Sequence, residues 1–513
     1  MTSDPLLRGL GLLEVIASSV RKIPLIPAAI IILLLSALSE GKEKWIEVRS
    51  PHFLVITNAG DKRGQDTALH LERIRLFFRQ SLAVAGHHPS PFVTVLAVRD
   101  GQTMRDILEQ YWGERQPHIA GIFAQRLDQY FAVVELDIQR SGYYSTFYHE
   151  YYHSITVPTF PDLPVWLAEG LAEFYGRTDI GDDHVGTGRP DSDLLDVLRQ
   201  SKLIPLDVLF RVDHSSPYYN ESNKTSIFYA ESWLATHYLM IGSSEAHKLL
   251  LKYLEALEQG KSWSEATPAF GDLKKLQTDL SDYLRQKKFL YLNSPLPKVD
   301  LGEFKTRTLS EAEAEAYLGG VSAGLGHTQH ALHTLTKAVK LDPNLSLPHE
   351  YLGMAQFLDG QRSGALESAS QSVKLDPNNP SARYLRAYYA TNGGAMLSTN
   401  AQVEEDLRQA IISSPEFSPA YALLGLYLAL QAHRPDEGLS LVKQALSLDP
   451  SNSSYQLSLA RILFQMERYD EAGTAAGRAI ALARYQSERI QAQKFISELD
   501  QEHLTNQVSS PVK

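Results

Sequence analysis

Two histidines and a glutamate are spaced so that they could hold and use a metal ion. The segment Tyr143–Thr156 contains the run His149-Glu150-Tyr-Tyr-His153. If this segment is helical, residues four apart share one face, so both imidazoles can bind one zinc ion. Glu150, about 100° round such a helix, can reach a water molecule on the same ion. Zinc lowers the pKa of bound water to about 7, and the carboxylate can accept its proton as the water attacks a carbonyl carbon.

A catalytic zinc site also needs a third protein ligand and an open position for water. Downstream, the run Glu169-Gly-Leu-Ala-Glu173 offers two glutamates one helical turn apart. Glu169 follows His153 by sixteen positions, which accommodates the end of one helix, a proline-rich turn and the start of a second helix. Glu169 is therefore the candidate for the third zinc ligand. Glu173 is expected to hydrogen-bond a ligating histidine and fix its orientation.

A small sheet and several helices are predicted to position these residues. Apolar patterns mark four strands, at Trp45–Val48, Phe53–Ile56, 92–98 and Tyr130–Leu136. Residues 66–84 have helical apolar spacing, and helices dominate from the motif to about Tyr291. We expect an α+β domain over residues 44–292, in which Tyr130–Leu136 is a candidate sheet edge for pairing with an extended substrate.

The two motifs resemble those of the gluzincin metallopeptidases, in particular the peptidase-MA-like group. The resemblance implies a zinc-dependent hydrolase of peptide bonds, with His149, His153 and Glu169 as Zn²⁺ ligands and Glu150 as general base. The order of strands and helices fits that fold. The sequence departs from the aminopeptidase-N branch, because no Gly-x-Met-Glu-Asn segment precedes the zinc helix. Recognition of a free amino terminus is therefore not expected.

Gluzincins commonly carry a downstream tyrosine or histidine that stabilises the oxyanion of the reaction. By this resemblance Tyr229, at the start of an apolar-periodic helix, is the candidate for that catalytic role. Tyr218, Tyr219, His214 and His237 compete for it. A tyrosine on a helix of this composition is more often a core residue than a catalytic one.

The C-terminal part of the chain repeats itself. Asp-Pro or Ser-Pro pairs recur at separations of 34, 38 and 35 residues, at Pro343, Pro377, Pro415 and Pro450. Such a period indicates helical hairpins in series. Small residues recur between these pairs, as at Gly319, Ala331 and Ala338 in one unit and at Gly353, Ala365 and Ser372 in the next.

This pattern resembles the tetratricopeptide repeat family over roughly residues 308–484. Five units fit, and the third has a four-residue excess near Gly393-Gly394. The resemblance implies an all-α solenoid, assigned to residues 308–500, whose concave surface binds peptides or partner proteins. Residues 293–307, with two prolines and no periodicity, are predicted to be a linker, and 501–513 a tail.

Composition limits the other possibilities. The chain has 513 residues, of which 43% are apolar and 21% charged, as in globular proteins of more than one domain. It has no cysteine, so any metal must bind to histidine or carboxylate side chains. The formal net charge of −11 argues against nucleic acid as a partner.

The first 40 residues are predicted to be a signal peptide or an N-terminal membrane anchor. Arg21-Lys22 precede an uncharged apolar run from Ile23 to Ala37. The small residues at Ala37-Leu-Ser39 favour cleavage, whereas the long polar leader before the run favours an anchor. The sequence therefore predicts an exported protein, periplasmic or extracellular, or a membrane-anchored one.

The sequence as a whole predicts a zinc metallopeptidase domain followed by repeats that bind a protein substrate or partner. The alternative is a catalytically inert envelope scaffold or adaptor that acts through its repeats. In that case the histidines and glutamates bind zinc without turnover, or are ordinary polar side chains of a helix.

Overall fold

The computed structural model describes residues 44–81, 93–108, 121–126, 129–137, 144–156, 163–181, 183–213, 216–220, 222–296, 304–391, 400–431, 433–483 and 486–509. The predicted leader at 1–40, the competing His214 and the excess near Gly393 lie outside these ranges. Within them, no helix combines the length and the hydrophobicity that a membrane crossing requires.

The strands form two sheets. In chain order the described strands are β1 (Ile46–Arg49), β2 (Phe53–Thr57), β3 (Val93–Val98), β4 (Gly121–Arg126), β5 (Gln129–Glu135), β6 (Asp179–Ile180), β7 (His184–Thr187), β8 (Leu292–Pro295) and β9 (Lys305–Thr308). The larger sheet has the order β4-β5-β3-β2-β1-β9, in which β2, β3 and β5 run parallel. All residues of β2 and β3 are buried, as expected for parallel strands covered on both faces. The smaller antiparallel sheet has the order β6-β7-β8.

The prediction that Tyr130–Leu136 is a sheet edge is wrong. Strand β5 occupies this segment, but β4 pairs antiparallel along its outer side, from Gly121 opposite Val134 to Arg126 opposite Gln129. In the described sheet β4 and β9 are the edge strands. β8 and β9 also give strand structure to parts of the range predicted to be a linker.

Eleven α-helices of the described chain precede the repeats. They are α1 (Asp61–Ser81), α2 (Gly101–Ile107), α3 (Ser145–Thr156), α4 (Val165–Gly176), α5 (Ser192–Gln200), α6 (Leu206–Leu209), α7 (Pro217–Asn220), α8 (Ser222–His237), α9 (Ser244–Glu258), α10 (Trp263–Ala266) and α11 (Leu273–Leu284). Several begin at side chains that cap free backbone N–H groups, as Asp191 does for α5, Ser243 for α9 and Asp272 for α11.

Ten further helices in the described residues between 311 and 482 form five consecutive hairpins, as the repeat pattern predicts. The pairs are α12 (Glu311–Gly324) with α13 (Thr328–Leu341), α14 (Ser346–Leu358) with α15 (Arg362–Leu375), α16 (Pro380–Ala390) with α17 (Ala401–Ser413), α18 (Ser418–Leu430) with α19 (Pro435–Leu448), and α20 (Ser453–Gln465) with α21 (Tyr469–Leu482). A last helix, α22 (Gln486–Ser509), packs on α21 and extends into the range predicted to be a tail.

The six-stranded sheet has a different partner on each face. One face, including Val55 and Val95, packs in one apolar core with Phe78 of α1 and Tyr151 of α3. The other face packs on the first repeats and forms a second core. Its sheet members are Leu54, Ile56, Leu96, Val98, Ala124, Phe131 and Val133.

The first hairpin lies directly against the sheet. A Cβ atom at Gly324 of α12 would lie 2.9 Å from Cε2 of Phe131 in β5, so only glycine allows this approach. The hydroxyl of Tyr317 donates a hydrogen bond to Glu47 of β1 at 3.1 Å, and Arg307 of β9 forms an ion pair with the same carboxylate at 2.7 Å. The sheet and the start of the repeats therefore share one core.

Candidate metal centre

Aromatic residues and ionisable residues lie on different faces of helix α3. Its buried side is inserted among the sheet and helix α1, and it consists of Phe147, Tyr148, Tyr151, Tyr152 and Ile155. His149, Glu150 and His153 are only partly buried and lie on the remaining face. The hydrophobic effect thus fixes the rotation of the helix, and this rotation brings the two histidines together.

Helix α4 brings the two downstream glutamates to the same place. At its C-terminal end, a Cβ atom on Gly176 would lie 3.3 Å from the carbonyl oxygen of Ser145 and 3.4 Å from Cβ of His149. The helices therefore approach one another closely at this end because position 176 is a glycine. Glu169 and Glu173 are 6% and 9% exposed, so α4 presents them toward α3 rather than toward solvent.

The candidate ligand atoms form a nearly equilateral triangle. Nε2 of His149 and Nε2 of His153 are 3.2 Å apart, and each lies 3.2 Å from Oε2 of Glu169. In a tetrahedral zinc site with bonds of about 2.0–2.1 Å, ligand atoms are separated by about 3.3 Å. The residues present therefore fit a tetrahedral ion of this size. Of the described residues, they are the only group of three that could share one ion.

Glu173 contacts Nδ1 of His149, the ring nitrogen that faces away from the triangle. Nδ1 of His149 lies 3.3 Å from Oε1 of Glu173, so the ring donates its proton there and leaves Nε2 directed at the centre of the triangle. Arg177 pairs with the other oxygen of Glu173 at 2.9 Å and with Asp191 at 3.0 Å. The position of Glu173 agrees with its predicted supporting contact, whereas Arg177 and Asp191 were not predicted.

Neighbouring charges and hydrogen bonds shift the pKa values of His149 and Glu169. Burial alone would lower the pKa of His149, but hydrogen bonds and charges from Glu169 and Glu173 outweigh it and raise that pKa. Burial would likewise raise the pKa of Glu169, yet the charges and hydrogen bonds of His153 and His149 hold it below its usual range. Glu169 is therefore ionised, as a metal ligand must be.

Two tyrosines adjoin the triangle. The hydroxyl of Tyr219 donates to Oε1 of Glu169 at 3.3 Å, and the ring of Tyr229 lies 6.0 Å from the ring of His149. The two hydroxyls are hydrogen-bonded to one another. Burial, followed by the charge of Glu169, raises the pKa of both, and the charge of Glu150 contributes. Both hydroxyls therefore stay protonated at neutral pH and can donate hydrogen bonds.

The other competitors for the tyrosine role differ in position. His237 is fully buried. Its Nε2 lies 2.9 Å from the carbonyl oxygen of Gly188 and 3.1 Å from that of Leu290, and its Nδ1 is hydrogen-bonded to the hydroxyl of Tyr283. It is a core residue. Tyr218 is half-buried and packs against the domain core.

Helix α8 carries Tyr229 to the site because α4 and α8 touch through a glycine. A Cβ atom at Gly170 would lie 2.9 Å from the carbonyl carbon of Ser232 and closer still to its oxygen and to Oγ1 of Thr236. Gly170 directly follows the ligand candidate Glu169, so the contact places Tyr229 beside the triangle. The sequence contains this glycine, but its function is evident only once α8 is seen to cross it.

Comparisons with known proteins agree with the repeats and leave the first domain without an assigned activity. The tetratricopeptide repeat family matches residues 429–492, and a family described as a protein of unknown function, DUF1570, matches residues 144–261. No curated protein matches the chain. The C-terminal hairpins are therefore tetratricopeptide repeats. The DUF1570 match spans α3, α4 and α8, which carry the candidate centre.

Several solved structures resemble about a third of the chain. TTC0263, a thermophilic TPR protein of Thermus thermophilus, is 22% identical, with 36% of this chain and 97% of that chain covered and a TM-score of 0.32. PilF of Pseudomonas aeruginosa is 20% identical, with 37% and 86% covered and a TM-score of 0.30.

Proposed function

We propose that this chain is a zinc-dependent metallopeptidase of the gluzincin type, whose repeats bind a protein substrate or partner. The supporting observation is the 3.2 Å triangle of two imidazole nitrogens and one carboxylate oxygen, contributed by His149, His153 and Glu169. Hydrogen bonding alone is a poor explanation for it, because two Nε2 atoms and one carboxylate oxygen cannot all pair with one another. The contact from Glu173 to His149 supports the same assignment.

A bound zinc ion would supply an acidified water molecule and would polarise the carbonyl group of the substrate. Glu150 then acts as the base, accepting the proton of the attacking water and passing it to the leaving amine. Tyr229, whose hydroxyl proton is directed to Tyr219 in this structure, turns that proton to the oxyanion that develops on the carbonyl oxygen. Tyr219 holds Glu169 in position through its 3.3 Å hydrogen bond.

A peptide bond is the proposed target because an edge strand lies next to the centre. Strand β4 contacts helix α3 on the face of the candidate ligands, where a Cβ atom at Gly121 would lie 3.7 Å from Cβ of Thr146, one helical turn before His149 and Glu150. An extended peptide can pair with the free side of such a strand. Tetratricopeptide arrays bind peptides and proteins on their concave surface, so the repeats provide a second contact with a protein substrate. The apolar run after Arg21-Lys22 supports export or membrane anchoring of the chain.

The second candidate is an adaptor that acts through the repeats alone. Its support is the shared core of the repeats and the sheet, which makes the first domain a rigid base for them. In this case the metal site stabilises the domain without turnover.

The Glu150→Gln variant separates the two functions. We expect it to retain one zinc ion per chain while cleavage of an unstructured protein such as β-casein falls by at least about 100-fold, the usual contribution of a general base. Metal content is measured by plasma emission spectrometry and cleavage by mass spectrometry. The matched control is Glu258→Gln, an exposed residue of α9, which should leave both unchanged.

A parent protein that binds zinc but cleaves no more than Glu150→Gln would favour the adaptor. A parent protein without zinc, even after dialysis against the metal, would contradict both the ligand assignment and the hydrolase. His153→Ala should lose the metal as well as the activity, which distinguishes a ligand from a base.

A further inference from the structure

A cavity of about 600 Å³ lies where the sheet meets the repeats. One side of it is the end of the sheet at which the parallel strands begin, and this side includes Thr94 and Gln129. The other side is formed by successive hairpins and includes Tyr317, Tyr351 and Phe417. Its size falls within the range of about 300–1,000 Å³ typical of ligand pockets. Neither domain could form this cavity alone.

The cavity is separate from the candidate metal centre. The residue of α3 that reaches it is Tyr151, whose ring packs 5.7 Å from that of Phe53 and 5.4 Å from that of Phe147. These contacts direct Tyr151 toward the sheet. The face of α3 that carries His149 and His153 is the other one, so an occupant of the cavity would not touch the zinc ligands.

A buried carboxylate with only neutral partners lines this cavity. Glu350 is 4% exposed, and its oxygens accept hydrogen bonds from Ser381 at 2.9 Å, Asn379 at 2.6 Å and Gln129 at 3.5 Å. No arginine, lysine or histidine of the described chain pairs with it. Burial raises the pKa of Glu350, and the charge of Asp376 adds to this. A cation brought next to Glu350 would supply the missing countercharge.

The remaining charges on the cavity wall are also mainly negative. Asp376 and Glu416 are exposed carboxylates on this wall. Arg49 also lines the cavity, and its positive charge partly offsets theirs. His52, which also lines the cavity, is paired with buried Glu72 at 2.8 Å. The wall therefore favours a positively charged occupant.

The described carboxylates of the cavity do not form a three-ligand cluster around a single point. In the described chain, the candidate atoms of three ligands converge on one point only at the triangle of α3 and α4. The negative groups of the cavity are instead distributed among aromatic side chains. Lysine and arginine fit such a wall, because their aliphatic stems pack against apolar and aromatic surfaces while their charged ends reach carboxylates.

We propose that this composite cavity binds an extended segment of a partner protein and receives one of its basic side chains, lysine or arginine, at Glu350. The contribution of three hairpins to the wall suits a polypeptide, which can contact several repeats in succession. Asp376 and Glu416 provide the negative rim that attracts the segment. This proposal rests on the partner binding proposed for the repeats but is independent of zinc and of hydrolysis, so its test requires neither.

The test uses the full-length protein and three fluorescein-labelled nonapeptides of serine and alanine that differ only at the central residue. This residue is lysine, norleucine or glutamate, and binding is measured by fluorescence anisotropy. We expect the lysine peptide to bind at least about tenfold more tightly than the norleucine peptide, as one charge-assisted hydrogen bond provides. Glu350→Gln should abolish this preference, whereas Glu367→Gln, exposed on the outer helix of the same hairpin, should keep it.

Three results would overturn the proposal. These are equal binding of the lysine and norleucine peptides, stronger binding of the glutamate peptide, and no binding at millimolar peptide. Cadaverine binding as tightly as the lysine peptide would show that a free amine, not a polypeptide, is recognised. If Glu350→Gln does not fold, the exposed double variant Asp376→Asn, Glu416→Gln replaces it and should reduce the preference severalfold.

Discussion

Gly170→Ala should destabilise the first domain through a steric clash between α4 and α8. The added Cβ atom would lie 2.9 Å from the carbonyl carbon of Ser232 and closer still to its oxygen, whereas ordinary contacts begin at 3.4 Å, so the backbone of α8 must move by more than about 0.5 Å. Overpacking against backbone costs about 3 kcal/mol, the upper end of its usual range. The better helix propensity of alanine offsets about 1 kcal/mol. The expected net loss is about 2 kcal/mol.

Urea unfolding measures this loss. Trp166 of α4 and Trp233 of α8 are fully buried at the two helices concerned, so their fluorescence follows the affected region. With a slope of about 3 kcal/mol per molar, the midpoint should fall by about 0.7 M. The matched control is Gly477→Ala in α21, where a Cβ atom meets nothing within 4 Å, and this variant should be slightly stabilised. Equal midpoints for the two variants would refute the close contact of α4 and α8.

Three further predictions concern the metal centre and a buried acid. Glu173→Gln should weaken zinc binding about 10- to 100-fold, as measured by competition with a chromophoric chelator, because it removes the carboxylate that orients His149. An unchanged affinity would contradict that role. Removing the metal with a chelator should lower the free energy of unfolding by about 2.7 kcal/mol when free zinc had been at 100 times its dissociation constant. An unaffected unfolding midpoint would argue against a site in the native fold. Burial raises the pKa of Glu231 from 4.5 to about 8, so the unfolded chain loses this proton first and stability should fall as pH rises from about 5 to 8. Glu231→Gln, which can still accept the hydrogen bond from Ile204, should remove that part of the pH dependence in urea titrations, and an identical pH profile would refute it.

The repeats could be predicted from the sequence because their signal is steric and recurs. Ala331, Ala365 and Ala472 are all fully buried at the contact of paired helices. A Cβ atom on Gly353 would lie 3.1 Å from the carbonyl oxygen of Ala365, so a larger residue would force the hairpin apart. Since each unit must satisfy the same contact, the requirement appears at a regular period in the sequence.

The candidate ligands could also be predicted, but for a different reason. The i, i+4 spacing of His149 and His153 needs only a local helix, whereas Glu169 requires two helices to pack. Its offset of sixteen residues from His153 predicts this packing, because so few residues separate the two helices. Arg177 and Asp191 escaped prediction, since their contact joins α4 to the start of α5 and depends on tertiary structure.

The edge strands could not be predicted because neither has an apolar pattern of its own. β9 reads Lys-Thr-Arg-Thr and is largely exposed, and it is a strand because it pairs with β1 from Arg49 to Ile46. β4 begins at Gly121 and ends at an arginine, and it is fixed by pairing with β5. An edge strand takes its structure from its neighbour, so propensity in the strand itself carries little information.

The shared sheet makes the two parts of the chain mechanically dependent on one another. Residues alternate along β2, so that Val55 packs toward the core that includes α3 while Leu54 and Ile56 pack toward the repeats. Because a strand is only one residue thick, displacing the first hairpin must disturb the strands that support α3 from the other side. A partner bound in the composite cavity would contact both modules at once. It would therefore hold the repeats and the base of the candidate metal centre in one fixed arrangement.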